Sequence, residues 1–307
     1  MKVSPFVAAA AVAGLCGAVL AACVPAPAEP EGAAAPEAKA PAARPAPPAA
    51  IPAGPADFSY GGELTQGGWI RGVVPGGTTA LELDGAPVPF AADGSFFIAF
   101  DRDAGPSARL VARRGGAAPV VRELAVSPRA WEIERVNIAR RPGGATEAFM
   151  RIREPELARI AAARAIRSNT DGWKQKFVWP VKGRISGRFG SQRIYRGEPG
   201  SYHSGLDITS GVSGTPFVAP ADGVVVLAAQ APFSLEGNLL MIDHGMGLNS
   251  AFLHCSEIAV KEGERVSQGQ YIGRIGMTGR ATGPHLHWSI KWLDARLDPI
   301  LFTGPMN

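Results

Sequence analysis

From Phe177 onward the chain alternates short apolar runs with glycine-containing turns. The runs are rich in Val, Ile and Leu, and they are G-V-V-V-L-A, L-L-M-I-D, S-A-F-L-H, Q-Y-I-G-R-I-G and H-L-H-W-S-I. Runs of this length, bounded by turn residues, are typical of β-strands. The pattern predicts an all-β domain with an antiparallel sheet over residues 177–303.

Residues 58–138 contain a second series of strand-like runs, separated by Pro-Gly-Gly, Asp-Gly and Gly-Gly turn signals. The runs are W-I-R-G-V-V, A-L-E-L, S-F-F-I-A-F, R-L-V-A and V-V-R-E-L-A-V. Their spacing predicts a small antiparallel β-sandwich. The segment contains no histidine, and the sequence assigns it no function.

Between the two β regions the hydrophobic period becomes helical. Leu157, Ile160 and Ala161 recur at helical spacing, and Pro155 is expected near the first turn. We predict a helical connector over residues 139–176. The predicted fold class is therefore mainly all-β, with one connecting helix between an N-terminal sandwich and a C-terminal antiparallel β domain.

The first 57 residues have a different composition. Met1 and Lys2 precede an apolar run that ends in L-A-A-C at positions 20–23, which is the layout of a secretory signal peptide. The L-A-A-C box resembles the bacterial lipoprotein signal, which implies removal of residues 1–22 and a lipid on the thiol of Cys23. An uncleaved membrane anchor and an ordinary cleaved signal are the alternatives. Residues 23–57 are rich in Pro and Ala and predict an extended tether.

Charge argues against nucleic-acid binding, and the cysteine content argues against a disulfide framework. The chain has 31 Lys and Arg against 27 Asp and Glu, an excess too small to indicate nucleic-acid binding, and it has no basic run with interleaved aromatics. Of its three cysteines, Cys16 would leave with the signal and Cys23 would carry lipid, so Cys255 remains alone. We therefore expect no intramolecular disulfide.

All five histidines lie between residues 202 and 288. Four of them belong to H-S-G-L-D (His203 with Asp207), A-F-L-H (His254) and G-P-H-L-H-W (His285 and His287). Residues two or four apart on an extended strand face the same side, so each pair can converge. Imidazole and carboxylate are ordinary zinc ligands. The fifth, His244, lies in an I-D-H-G turn and is predicted to be structural.

These motifs resemble the lysostaphin/LytM-type zinc endopeptidases, which cut peptide crosslinks in bacterial peptidoglycan. The resemblance runs from about residue 177 to 299 and includes F-V-W-P-V-K-G-R-I-S-G-R-F-G, the H-x-x-x-D pair and T-G-x-x-T-G-P-H-L-H-W. It implies zinc bound by His203, Asp207 and His287, with His254 and His285 as a catalytic pair that does not bind the metal. A structural zinc closed by Cys255 is disfavoured, because an odd offset from His254 directs the thiol to the opposite face.

The resemblance implies a zinc metalloendopeptidase, a hydrolase acting on the crosslinks or stem peptides of peptidoglycan. The alternative is a catalytically silent LytM-like protein that binds the wall or regulates another cell-wall hydrolase. The complete ligand set favours the enzyme. Expected partners are peptidoglycan, a membrane through the lipid on Cys23, and cell-wall or division proteins. The expected location is the cell envelope, with the lipid in the outer membrane facing the periplasm.

Overall fold

The computed structural model describes residues 54–139 and 146–306. The predicted signal peptide (1–22), Cys23 and most of the predicted tether (23–57) lie outside the described residues. Neither α-helix within the described ranges has the length and apolar composition that crossing a bilayer requires.

Strands between residues 59 and 125 form two antiparallel sheets, as the turn signals predict. They are β1 (Ser59–Gly62), β2 (Trp69–Val73), β3 (Thr78–Leu83), β4 (Ala86–Val88), β5 (Ser95–Ala99), β6 (Ser107–Arg114) and β7 (Ala117–Ala125). One sheet has the order β1-β2-β5 and the other β4-β3-β6-β7. Ile70 and Phe96 from the first sheet are buried in the same core as Leu81 and Leu110 from the second.

Strand β8 (Ile133–Val136) lies at the end of the segment predicted as the N-terminal sandwich. The predicted connector contains the helix α1 (Glu147–Ala165) and a short 3₁₀ turn (Gly172–Lys174). Helix α1 begins after Thr146, whose Oγ1 accepts the Phe149 N–H at 3.1 Å. Because this cap lies upstream of the apolar period, Pro155 falls inside the helix, and its predicted place near the first turn was wrong.

The C-terminal region is built on an antiparallel sheet of eight strands. The elements of the region are β9 (Arg184–Gly187), β10 (Gln192–Tyr195), β11 (Glu198–Pro199), β12 (Leu206–Thr209), β13 (Pro216–Val218), β14 (Gly223–Phe233), β15 (Gly237–Asp243), β16 (Leu248–Cys255), β17 (Glu257–Ile258), β18 (Arg265–Val266), β19 (Tyr271–Arg274), β20 (Leu286–Trp292), β21 (Ala295–Leu297) and α2 (Ile300–Thr303). The large sheet has the order β18-β14-β15-β16-β20-β12-β9, and β21 pairs with β20. The mainly antiparallel β fold predicted from the sequence is confirmed.

The two β regions pack against each other. Strand β8 pairs in parallel with β10, and the Phe97 and Trp292 rings lie 6.0 Å apart between centroids. The Trp69 and Phe302 rings are 5.3 Å apart. The described residues belong to one compact unit. The domain boundaries drawn from the sequence at residues 57, 138 and 176 stay predictions.

His244 is buried in the C-terminal core with both ring nitrogens in hydrogen bonds. Nδ1 lies 2.8 Å from the Asp222 carbonyl oxygen, so it donates, and Nε2 lies 2.8 Å from Ser250 Oγ and accepts. Burial lowers the pKa of His244 to about 4. These contacts give His244 a structural role.

We expect acid to destabilise the protein through His244. Its pKa is about 4 in the folded state and about 6.5 in an unfolded chain. As pH falls from 6.5 to 4, the unfolded chain takes up a proton that the folded protein excludes, and the free energy of unfolding decreases by about 3 kcal/mol. Urea unfolding at several pH values measures this. His244→Gln should start less stable and show a flatter pH dependence; equal slopes in both proteins would contradict the assignment.

Candidate metal centre

Asp207 and His287 come from neighbouring strands of the large sheet. In β20, alternate residues from Leu286 to Trp292 are buried, so His287 faces away from the core. Strand β12 alternates in the same way around Asp207. The two residues are paired across the strands, and His287 Nδ1 lies 2.9 Å from Asp207 Oδ1.

His203 lies before β12 and not on it, so it does not reach Asp207 along a shared strand. Its N–H donates to Ser191 O and its carbonyl accepts from Gly190 N–H, each at 2.8 Å. These bonds tie it to the loop between β9 and β10. His203 Nε2 then lies 3.1 Å from both Asp207 Oδ1 and His287 Nδ1.

A backbone carbonyl fixes the tautomer of His203. Its Nδ1 is 3.0 Å from Arg188 O, and a carbonyl oxygen can only accept, so Nδ1 carries the proton. The lone pair on Nε2 therefore faces Asp207 and His287. This is the arrangement that orients a metal-binding imidazole.

The charges of the cluster suit a cation. Burial raises the pKa of Asp207, but the ring nitrogens of His203 and His287, 3.1 and 2.9 Å from its Oδ1, outweigh burial and hold that pKa well below its usual range. Burial lowers the pKa of His287, which favours the neutral imidazole. Burial also lowers the pKa of His203, but the Asp207 carboxylate beside Nε2 outweighs burial and leaves this pKa raised. A cation held by Asp207 would take the place of a proton on that Nε2.

The three donor atoms fit a first-row metal ion. All lie within 4.8 Å of one another, and the closest separations are 2.9 and 3.1 Å. Ligands of a tetrahedral zinc at about 2.05 Å would be about 3.3 Å apart. Two imidazole nitrogens and one carboxylate oxygen, partly exposed on one side, leave room for a further ligand such as water.

His254 and His285 lie beside this group, with ring centroids 4.9 Å apart. His254 Nδ1 donates to Thr278 O, and His285 Nδ1 donates to Gly283 O, each at 2.8 Å. In both rings Nε2 is thus the unprotonated nitrogen. His285 Nε2 lies 3.7 Å from Asp207 Oδ1.

His254 lies in β16, but its backbone departs from extended strand geometry. Its φ of 64° is left-handed, a region rarely used by residues other than glycine. Its N–H donates to Glu236 O at 2.8 Å. Burial lowers the pKa of His254, which favours the neutral ring. Strand alternation alone does not predict this geometry.

Gly205 allows the segment from His203 to Asp207 to approach β20 closely. A Cβ at this position would lie 2.6 Å from His287 Nε2 and 2.7 Å from Trp288 O. Any larger residue would displace β20 or the His287 ring. This close approach is a tertiary feature.

Residues 201–299 match the sequence model of Peptidase family M23. Over 120 residues the chain is 41% identical to the peptidoglycan DD-endopeptidase ShyA of Vibrio cholerae, covering 38% of this chain and 26% of that protein. It is 35% identical over 120 residues to the cell division protein DipM of Caulobacter vibrioides, covering 39% and 18% respectively.

A crystal structure from Pseudomonas aeruginosa, described as a candidate M23 peptidase, is similar over more of the chain. Its TM-score is 0.60 at 27% identity, covering 80% of this chain and 96% of that one. The chain spans about a quarter of the length of the first curated relatives it matches. The match to the family model therefore concerns residues 201–299, called the M23 segment below. This segment contains His203, Asp207, His254, His285 and His287.

An open cavity of about 1350 Å³ extends from His203 in the M23 segment. Its lining includes residues 185–188 and residues 132–134. The latter lie at the start of β8. Ion pairs join Arg188 to Glu132 and Arg193 to Glu134. Residues upstream of the M23 segment thus contribute to the groove beside the metal centre.

Cys255 lies in the core and not in the metal centre. It is fully buried, and its thiol lies 3.5 Å from Phe252 O. Burial raises the pKa of the Cys255 thiol to about 12, so it stays protonated. Among the described residues, the group able to hold a metal comprises His203, Asp207 and His287 and does not include Cys255.

Proposed function

We propose that this chain is a zinc metalloendopeptidase that hydrolyses crosslinks or stem peptides of peptidoglycan. The observation that carries the proposal is the convergence of His203, Asp207 and His287, with His254 and His285 directly beside them. The similarity of the M23 segment to DD-endopeptidases of Vibrio cholerae supports the substrate class. The adjacent groove offers space for an extended peptide.

In this proposal His203, Asp207 and His287 hold the ion. When bound, zinc supplies Lewis-acid polarisation of the scissile carbonyl and of an attacking water. One of His254 and His285 would accept the proton of that water at its unprotonated Nε2. The other would carry a second proton on Nε2 and donate it to the developing oxyanion or the leaving amine. Water thus adds to the carbonyl carbon, the C–N bond breaks, and the amine leaves protonated.

The competing proposal is a silent wall-binding or regulatory domain. Such a domain would be free to lose ligand or proton-transfer residues, whereas here all five side chains converge. Cell-wall or division proteins are the partner class that we propose for either function, and the similarity to a cell division protein supports it.

Digestion of purified peptidoglycan tests the proposal. The zinc-loaded protein is incubated with sacculi of known stem chemistry, and mass spectrometry identifies the new termini. We expect new amine and carboxyl ends at a stem or crosslink peptide bond, and none with His287→Ala. Binding to sacculi without cleavage would support the silent alternative, and neither binding nor cleavage would contradict both.

We further propose that Cys23 carries a lipid that anchors the protein in the outer membrane, facing the periplasm. The motivation is L-A-A-C at positions 20–23, followed by a Pro- and Ala-rich tract. Val24, a non-acidic residue after the cysteine, supports outer-membrane sorting.

Cys23→Ser should abolish the incorporation of labelled fatty acid and leave an unprocessed or mislocalised protein. The matched control is Cys16→Ser, because Cys16 would be removed with the signal and should leave labelling unchanged. Labelling and membrane fractionation in the native host measure both. A wild-type protein that never takes up label would contradict the lipoprotein proposal.

A further inference from the structure

A buried cluster of three charged residues joins helix α1 to the turn over residues 234–237. This turn is hydrogen-bonded to the backbone of His254. Arg153 Nη1 and Nη2 each donate to a separate Glu236 oxygen at 2.6 Å, and Nη1 also donates to Glu156 at 2.9 Å. The three side chains are only 10 to 15% exposed. A bidentate pair in such surroundings has a strongly defined geometry.

A second bond set holds the same turn. Glu156 accepts from both the N–H and the hydroxyl of Ser234, at 2.6 Å each. The turn over residues 234–237 is therefore fixed at Ser234 and at Glu236 by two residues of α1. The sequence predicted only a connecting helix here, because the partner residues lie about eighty positions downstream.

This turn holds the backbone of His254. The Glu236 carbonyl accepts the His254 N–H at 2.8 Å, and His254 has the left-handed φ of 64°. A strained conformation of this kind persists only where surrounding contacts enforce it. The backbone bond to Glu236 is one of those contacts.

The turn also positions the carbonyl that accepts from the His254 ring. Gly237 packs against Thr278 so closely that a Cβ on Gly237 would lie 2.3 Å from Thr278 Oγ1. The Asn238 N–H donates to Thr278 Oγ1 at 2.9 Å. Thr278 O in turn accepts from His254 Nδ1. Backbone and ring of His254 are thus both tied to the segment that α1 holds.

We propose that Arg153 and Glu236 are positioning residues that fix the orientation and the Nδ1–H tautomer of His254. Neither side chain is hydrogen-bonded to the candidate metal group or to the His254 and His285 side chains, so their action passes through the turn. The inference rests on the proposed peptidase function for its kinetic consequence, but its structural consequence does not need turnover. A small displacement of a reacting group reduces rate far more than binding.

The test compares a charge-free pair with a matched control on the same helix. Arg153→Met alone leaves Glu236 buried without its main partner and could unfold the protein, so the main variant is Arg153→Met with Glu236→Gln. The control is Arg159→Met. Like Arg153, Arg159 lies on α1 and pairs with a glutamate of the C-terminal region, but its ion pair with Glu262 is half-exposed. All variants are made in the full chain.

The first measurement is the tautomer of His254. Long-range ¹H–¹⁵N spectra of the zinc-loaded protein report which imidazole nitrogen is protonated, and His254→Gln assigns the signal. We expect the Nδ1–H form in the wild type and in Arg159→Met. The double variant should show a mixture of Nδ1–H and Nε2–H forms. A wild-type tautomer in a folded double variant would overturn the proposal.

The second measurement separates kcat from KM on a soluble crosslinked muropeptide. We expect kcat of the double variant to fall by about 10-fold to 100-fold, with KM within about twofold of the wild type. Arg159→Met should keep kcat within about twofold, and Arg153→Lys should recover part of the loss because it keeps the charge but not the bidentate contact. A rise in KM with unchanged kcat, or an equal loss of kcat in the control, would contradict positioning. If the wild type shows no turnover, the proposed function fails while the tautomer spectra still decide the positioning role.

Discussion

His287→Ala is expected to remove nearly all bound zinc and all detectable peptidoglycan hydrolysis. In the proposed site His287 would supply one of three donor atoms, and its Nδ1 lies 2.9 Å from Asp207 Oδ1 and 3.1 Å from His203 Nε2. Loss of one ligand from a three-ligand site leaves two donors, which hold zinc poorly. Metal analysis and turnover are measured on the same folded sample, with circular dichroism to establish the fold.

The control for this result is a histidine substitution outside the metal centre. His244→Gln removes a buried structural imidazole and should keep about one equivalent of zinc at neutral pH. A folded His287→Ala protein that retains stoichiometric zinc would contradict the three-ligand assignment.

His285→Ala is expected to keep about one equivalent of zinc and still lose activity by about 10²-fold to 10⁴-fold. His203, Asp207 and His287 all remain, so the metal donors are unchanged. The variant removes the Nε2 that lies 3.7 Å from Asp207 and the ring beside His254. A loss of this size is typical when a positioned general acid or base is removed. Zinc content and kcat on a soluble muropeptide measure the two effects separately.

The two variants must differ in metal content for the assigned roles to hold. If His285→Ala loses zinc while His287→Ala retains it, the roles of the two histidines are exchanged. If both keep full activity, the endopeptidase proposal fails. His285 immediately precedes β20 and His287 is its second residue. A general destabilisation of this strand end would lower the zinc content of both variants and would not produce this contrast.

The local pattern of the chain determined which side chains could share a face. H-L-H-W-S-I-K-W places Leu286, Trp288 and Ile290 in the core and His287 on the open side, and the structure has this alternation. The same period holds around Asp207. The Asp-Gly hairpin at Asp84 has positive φ at both central residues, as its sequence predicts. These features depend only on neighbours along the chain, so the sequence alone determines them.

Tertiary structure decided which atoms meet. Asp207 faces His287 because β12 and β20 pair at that register, and His203 reaches them from outside the strand through the β9–β10 loop. The carbonyls of Arg188, Gly283 and Thr278 select the protonated nitrogen of three rings. No periodicity encodes such contacts, because backbone carbonyls are identical in every residue.

The same limit applies to the surroundings of the site. The left-handed backbone of His254 and the Arg153–Glu236 pair depend on contacts between residues far apart in sequence. The packing of the N-terminal sheets against the C-terminal region, seen at Phe97 and Trp292, is likewise long-range. Residue type and spacing therefore determined the chemistry available to this chain, whereas strand register and loop packing decided its geometry, since both are fixed only when distant segments bury their apolar faces together.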